Sequence, residues 1–431
     1  MEPLLATAGG ASAWRVLPFA LLLLSIAVLP LFAPHWWHAN RNKAIVSLLF
    51  GAPVAWWVWG HDPHAVIHTA LEYGAFVALL GSLYVISGGI VVRGSLSGTP
   101  LANTGILALG AVLANVVGTT GASMLLIRPY LQANRERRDR RHLVVFFIFI
   151  VANVGGCLTP LGDPPLFLGF LRGVPFDWTL GLWKEWALLT FALLVVFNLY
   201  DQVRFTREDL DSHRDLEDEV QPRAPISIGG RRNFLLLAGV VGTVLACGFW
   251  VYPRHGETTS MIAQAATLSL LAIVSLVATP RLVRTENGFT WHPFVEIVIV
   301  FAGIFAAMIP ALALLRERGA ALGIDAPWQF FWATGSLSAF LDNAPTYVAF
   351  LSMAQHLPDE VAGTSAAALA AISCGAVFFG ALTYIGNGPN FMVKAIAEHS
   401  GVKMPSFFGY LAWSACVLLP LFLAVTLIFF V

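Results

Sequence analysis

Long apolar runs recur along the whole chain, broken at intervals by short clusters of Gly, Pro, Asn, Asp and Arg; Leu17–Phe32, Phe234–Val251 and Ser406–Val431 are the clearest. A bilayer core about 30 Å thick takes ~20 apolar residues of α-helix. On that ruler the pattern predicts spans at 14–33, 43–60, 66–92, 142–170 and 183–200, then at 233–252, 258–279, 292–315, 365–396 and 407–431. The first run lacks a basic start and a small-x-small cleavage site, so it reads as a mature helix rather than a leader. Between the third and fourth span of each set lies a semi-apolar segment, 101–128 and 329–356. Each has a polar, small-residue centre: Asn115-Val-Val-Gly-Thr-Thr-Gly-Ala-Ser123 and Ser338-Ala-Phe-Leu-Asp-Asn-Ala-Pro-Thr346. Lipid cannot satisfy the backbone that such centres expose, so both segments read as re-entrant hairpins buried in protein.

The two sets are copies. His68-Thr-Ala-Leu-Glu72 aligns with His292-Pro-Phe-Val-Glu296, and Leu158-Thr-Pro-Leu-Gly-Asp-Pro-Pro165 with Leu382-Thr-Tyr-Ile-Gly-Asn-Gly-Pro389, both at an offset of 224. The hairpin centres align at 223. Five spans per half is odd, so the second copy inserts upside down. The expected fold is an all-α integral membrane protein of two inverted repeats, 1–200 and 233–431, each with about five transmembrane helices and one hairpin. Segment 201–232 is the expected cytoplasmic linker. Inverted repeats with interrupted helices at matched positions are the mark of secondary transporters.

Composition agrees: 57% of the 431 residues are hydrophobic and 12% charged, with mean hydropathy +0.73, against roughly 25% charged in soluble domains. Net charge is zero, so nothing suggests a nucleic-acid partner. Threading this topology puts 19 of the 25 Lys and Arg on one face, which the positive-inside rule makes cytoplasmic. Both termini are then predicted outside, with the chain in a bacterial inner (plasma) membrane. Arg135-Glu-Arg-Arg-Asp-Arg-Arg141 reads as an orientation-setting loop. Cys157, Cys247, Cys374 and Cys416 lie inside apolar segments without CxxC spacing and read as small buried residues. No Walker, GxSxG or HExxH motif occurs, so the chain is expected not to be an enzyme and to need no cofactor.

The chemistry concentrates at the breaks. In Gly155–Pro165 the prolines remove donors and Gly tolerates unusual dihedrals, so the helix should unwind near mid-depth, as should its copy Gly380–Asn390. Thr159, Gly162 and Asp163, with Thr383, Gly386 and Asn387, are the candidate binding residues there. The hairpin centres add Asn115, Thr119, Thr120 and Ser123, then Ser338, Asp342, Asn343 and Thr346. Hydroxyl and amide oxygens suit a hard cation. A carboxylate at membrane depth costs at least a few kcal/mol, so Asp163 and Asp342 should each take a cation or a proton, or else cap a half-helix. His68/Glu72 and His292/Glu296 share helix faces at i,i+4 and are candidates for a proton relay or for structural roles.

At these residues the chain resembles the ion transporter superfamily. Asn115–Ser123 with Leu158–Pro165 are most similar to NhaD-type sodium/proton antiporters and citrate-transport sequences. The resemblance spans about residue 14 to the end. It implies a scaffold formed by the early helices, a mobile transport domain carrying the hairpins and breaks, elevator-like movement and a homodimer. It also implies two coordination clusters: Asn115, Thr120, Ser123, Thr159 and Asp163, then Ser338, Asp342, Asn343, Thr346, Thr383 and Asn387. Dicarboxylate symporters of the group carry Ser-Asn-Thr at both tips, whereas here the tips read Gly-Thr-Thr and Leu-Asp-Asn. Asp342 adds negative charge where an organic anion would sit, which favours a small inorganic cation. The leading expectation is therefore sodium/proton exchange, with Na+ and H+ as the coupled ions. Transport of citrate, another organic anion or arsenite comes second, and a non-transporting scaffold third.

Overall fold

The computed structural model describes residues 13–93, 98–212 and 227–431. Its first half runs through α1 (Leu17–Phe32), α2 (Asn40–Trp59), α3 (Pro63–Ser87), β1 (Val91–Arg93), α4 (Pro100–Ala133), α5 (Arg141–Ile150), α6 (Pro164–Leu171) and α7 (Trp183–Ser212). The second continues with β2 (Ser227–Gly229), α8 (Arg232–Ala246), α9 (Tyr252–Ala278), α10 (His292–Arg318), α11 (Pro327–Ser338), α12 (Asn343–Met353), α13 (Ala366–Phe379), α14 (Gly388–His399) and α15 (Phe407–Val425). β1 and β2 pair antiparallel, Val91 opposite Gly229, and join the end of α3 to the start of the second half.

Eight helical segments among the described residues are long and apolar enough to cross a membrane. Their outer faces carry large apolar side chains with nothing packed on them: Val277 is 83% exposed, Leu235 76% and Phe408 75%. That is the surface of a protein solvated by lipid. Cys416 is exposed on α15 for the same reason, whereas Cys157, Cys247 and Cys374 are buried. Conversely, every residue of Leu143–Ile150 in α5 is buried, because a helix apolar all round sits inside a bundle. α2 crosses α10 where Gly303 meets Ser47, and a Cβ on Gly303 would stand 2.7 Å from that side chain. α3 packs on α10 through Phe76 and Phe301, ring centroids 4.8 Å apart, and Tyr73 donates to the Val298 carbonyl at 2.7 Å.

As one helix α4 would be about 51 Å long, but Gly118 (φ 77°, ψ 156°) interrupts it. That left-handed φ is open to glycine at no steric cost. The chain turns back there: a Cβ on Gly110 would lie 3.1 Å from Leu126, and Asn103 and Asn134 at the base exchange reciprocal amide hydrogen bonds of 3.0 and 2.8 Å. α11 and α12 form the second hairpin, whose base holds His356 and Asp325 at 2.9 Å. The first base lies beside β1, near the Arg93–Glu286 ion pair, at the end of the molecule where α10 begins. The second lies against the turn Gly319–Leu322, just beyond the last turn of α10. The hairpins thus enter from opposite faces.

The linker expected at 201–232 departs from the structure. α7 continues to Ser212, residues 213–226 fall outside the described residues, and Asp201 is fully buried. Asp201 accepts hydrogen bonds from Arg137 (2.8 Å), His142 (2.9 Å) and Asn103 (2.9 Å), while Arg137 also donates to Glu208 at 2.7 Å. The charges expected to mark a solvated loop instead clamp the first hairpin's base to α7. Removing one partner of a buried ion pair strands the other charge, at about 3–5 kcal/mol. Arg137→Ala should therefore lower the melting temperature of the purified protein sharply, while Arg138→Ala should leave it unchanged, read by tryptophan fluorescence during heating.

At the second base, both ring nitrogens of His356 face acceptors: Nδ1 the Met353 carbonyl (2.8 Å) and Nε2 the Asp325 carboxylate. Burial lowers its pKa, but the Met353 carbonyl and Asp325 outweigh this and raise it. The doubly donating imidazolium tightens the base below the ordinary histidine pKa, and that support is lost as pH rises through the raised value. Protection factors of the amides at 353–357, corrected for base-catalysed intrinsic exchange, should be larger at about pH 6 than at about pH 8, straddling the unperturbed value of roughly 6.5. His356→Gln should flatten the difference.

Candidate functional site

Pro160, Pro164 and the flanking glycines unwind the helix between α5 and α6 into a 3-10 turn, Val154–Leu158, and an extended strip with Thr159 at φ −141°, ψ 154° and Asp163 at φ −143°, ψ 144°. Between α13 and α14 the chain repeats this: a turn at Gly380–Leu382, then Thr383 at φ −134°, ψ 166° and Asn387 at φ −154°, ψ 139°. Each strip folds onto its own turn. A Cβ on Gly156 would meet the Gly162 carbonyl at 2.8 Å, and one on Gly386 the Gly380 carbonyl at 2.7 Å. Thr159 donates to the Asn115 carbonyl at 2.5 Å, and Thr383 to the Ala339 carbonyl. One hydrogen bond is thus made twice, 224 residues apart, each time fastening a hairpin tip to a break.

Asp163 is 1% exposed and joins all four motifs. Its Oδ1 accepts from the Thr119 hydroxyl at the first tip (2.9 Å) and from Asn387 in the second break (3.0 Å). Its Oδ2 accepts from Asn343 at the second tip, 2.5 Å away. All three donors are neutral, and among the described residues no Lys, Arg or His forms an ion pair with it. Four helix N-termini converge here: α6 after Asp163, α12 after Asp342, α14 after Asn387 and the second arm of α4 after Gly118. Their positive ends add partial charge without a proton to lose.

Two buried oxygens nearby have no partner among the described residues, Asn343 Oδ1 and Ser123 Oγ; Ser123 lies one turn beyond Thr119 on the same helix face. Asp342 is half-buried and caps α12, accepting from the Ala344 amide at 3.5 Å. Thr346 donates back to the Asp342 carbonyl at 3.0 Å. The other candidate residues brace the fold. Asn115 bonds the Ala111 carbonyl (3.0 Å) and the Leu158 amide (2.8 Å), Ser338 bonds the Ala376 carbonyl (2.7 Å), and the Gly162 carbonyl accepts from the Thr119 amide (2.8 Å). Thr120 is half-buried at the first tip.

The His/Glu pairs are not joined to one another. Glu72 pairs with Arg172 (3.0 Å) and His68 with Glu257 (3.2 Å); Glu296 pairs with buried Lys43 (2.8 Å), and His292 stacks on His38. Each takes its partner from another segment.

Two residues of the site were not anticipated. Asn153, fully buried, donates to Asn390 at 2.7 Å and accepts from Asn387 at 3.2 Å. Asn390 in turn donates to the Gly380 and Thr383 carbonyls at 2.7 and 2.9 Å. The available signal was a lone amide inside the apolar run Leu143–Val154.

Crossing helices, two hairpins from opposite faces and two broken helices meeting at a buried polar centre define a membrane transport protein, not an enzyme. The chain belongs to the family described as "Putative citrate transport", whose profile matches residues 8–430. It is also similar to an uncharacterized transporter of Mycobacterium bovis, 23% identical over 407 residues that cover 87% of this chain and 90% of that protein. An uncharacterized transporter of Mycobacterium tuberculosis matches to the same extent.

An amide left unpaired in a buried site costs about 1–3 kcal/mol. Asn153→Leu, which strips Asn390 and Asn387 of a partner, should lower the melting temperature and slow transport. Unchanged values for both would show that the amide ladder does not support the break.

Proposed function

We propose that the chain is a secondary active transporter that exchanges sodium for protons. The observation carrying this reading is Asp163, a buried carboxylate held only by neutral donors. Ionised and unpaired at that depth it is costly, so it takes either a proton or a cation. Na+ would sit against Asp163 with the free Asn343 Oδ1 as a second oxygen, the kind of hard ligand set a hard cation takes. One carboxylate cannot hold both ions, and this competition couples the two fluxes. The matched breaks and opposed hairpins support two inverted repeats working as an elevator, with the hairpins and broken helices as the moving part. We place the chain as a homodimer in a bacterial plasma membrane with both termini outside, the orientation that the Lys and Arg distribution favours.

A second reading has its own support. Four converging helix N-termini suit an organic anion, and the family's description names citrate. The two readings part at Asp163. In everted vesicles, Asp163→Asn should abolish sodium-driven proton movement, while Asp342→Asn should retain it at reduced rate. Undiminished exchange in Asp163→Asn would overturn the antiporter. Sodium- or proton-dependent citrate uptake that survives Asp163→Asn would establish the anion reading.

A further inference from the structure

Away from the polar centre, a cavity of about 230 Å³ lies between the end of α6, the end of α8 and the start of α9. Its walls include Phe170, Phe176, Val244, Phe249 and Met261. Gly256 (φ 79°) breaks α9 and starts a fresh helical arm at Glu257, and that arm turns Glu257, Ser260 and Gln264 toward the cavity. Two of these three are already engaged: Glu257 with His68 at 3.2 Å, and the Ser260 hydroxyl with the Cys247 carbonyl at 3.1 Å. Gln264 is not. It is 2% exposed, lines the cavity, and its amide Nε2 has no partner among the described residues.

A buried amide N–H without an acceptor is disfavoured enough that native structures supply one. The walls that surround this one are aromatic and aliphatic. We propose that the cavity is a binding site for a small, ring-sized apolar molecule carrying a carbonyl acceptor, with the rings against Phe170, Phe176 and Phe249 and the oxygen on Gln264 Nε2. The volume decides the size class: a cavity of about 150 Å³ holds one benzene ring and drug-sized ligands need about 300 Å³ or more. One wall belongs to the broken helix α6 and the other to α8 and α9, so a bound molecule touches both an element of the polar centre and the helices packed around it. The assignment does not depend on which ion the protein carries.

Benzophenone is both a member of the proposed class and a photolabel. Its carbonyl accepts a hydrogen bond, and after irradiation it attaches to a neighbouring C–H group. The full-length protein in lipid nanodiscs would be irradiated with benzophenone and the label mapped by peptide mass spectrometry. The expected label falls on Met261 and on 170–176. Diphenylmethane, with the same rings and no carbonyl, should compete about tenfold more weakly than phenyl benzoate, which keeps two rings and a carbonyl acceptor and does not photoattach. Gln264→Leu keeps the shape and removes only the unpaired amide, a change that buried sites tolerate; it should cut the label at least fivefold with gel-filtration behaviour unchanged. Val244→Trp, which fills the space, should abolish it. Label spread evenly over lipid-facing helices, or a Met261 signal indifferent to both substitutions, would overturn the site.

Discussion

A carboxylate without a countercharge among the described residues, at the crossing of four chain segments, is the constraint around which this protein is arranged. Elsewhere in its interior a buried acid has an arginine: Asp201 has Arg137, and Glu72 has Arg172. Asp163 has two amides and a hydroxyl. An arginine would supply the countercharge that this carboxylate lacks among the described residues. Neutral donors orient the group and add no fixed positive charge.

Placing such a group requires breaking helices where lipid forbids it, and the structure shows how that is managed. The freed backbone is satisfied inside the protein, by Thr159 and Thr383 on the tip carbonyls and by the Asn153–Asn390 ladder. The half-helices on either side are sheathed by α4, α7, α11 and α12, so α5 and α13 see no lipid along most of their length. Glycines at 156, 162, 380 and 386 let each strip lie on its own turn without a Cβ between them. The hairpin bases are then pinned far from the centre, by an amide pair and an ionic clamp at one end and a histidine–carboxylate pair at the other. The bases are held by charged and amide pairs, while the centre is polar and partly unsatisfied.

The two breaks are alike in backbone and unlike in chemistry. Matched positions 163 and 387 carry Asp and Asn and bond to each other at 3.0 Å, so pseudo-equivalent residues meet at one point and only one of them ionises. From sequence Asp342 is the stronger candidate of the two membrane-depth acids. In three dimensions it caps α12 from a half-buried position, while Asn343, its neighbour, reaches the centre. A one-residue step at a helix start rotates a side chain by about 100°, enough to exchange those roles.

Hydropathy and Gly/Pro punctuation were sufficient to declare an all-α membrane chain and the polar segments at which its helices turn or break, because both act locally. Thr119, Asp163, Asn343 and Asn387 were likewise legible as polar residues in places where lipid tolerates none. Which of them touch was not legible, since that depends on contacts between residues as far apart as 163 and 387. The same holds for Asn153, a single amide in an apolar run, for Arg137, which reads as loop charge until Asp201 is packed beside it, and for Glu72 and Glu296, whose partners Arg172 and Lys43 lie on other segments. Local pattern decides where a chain can bury itself. Only the folded crossing decides which buried polar group is left without a countercharge, because that is a property of the neighbours and not of the residue.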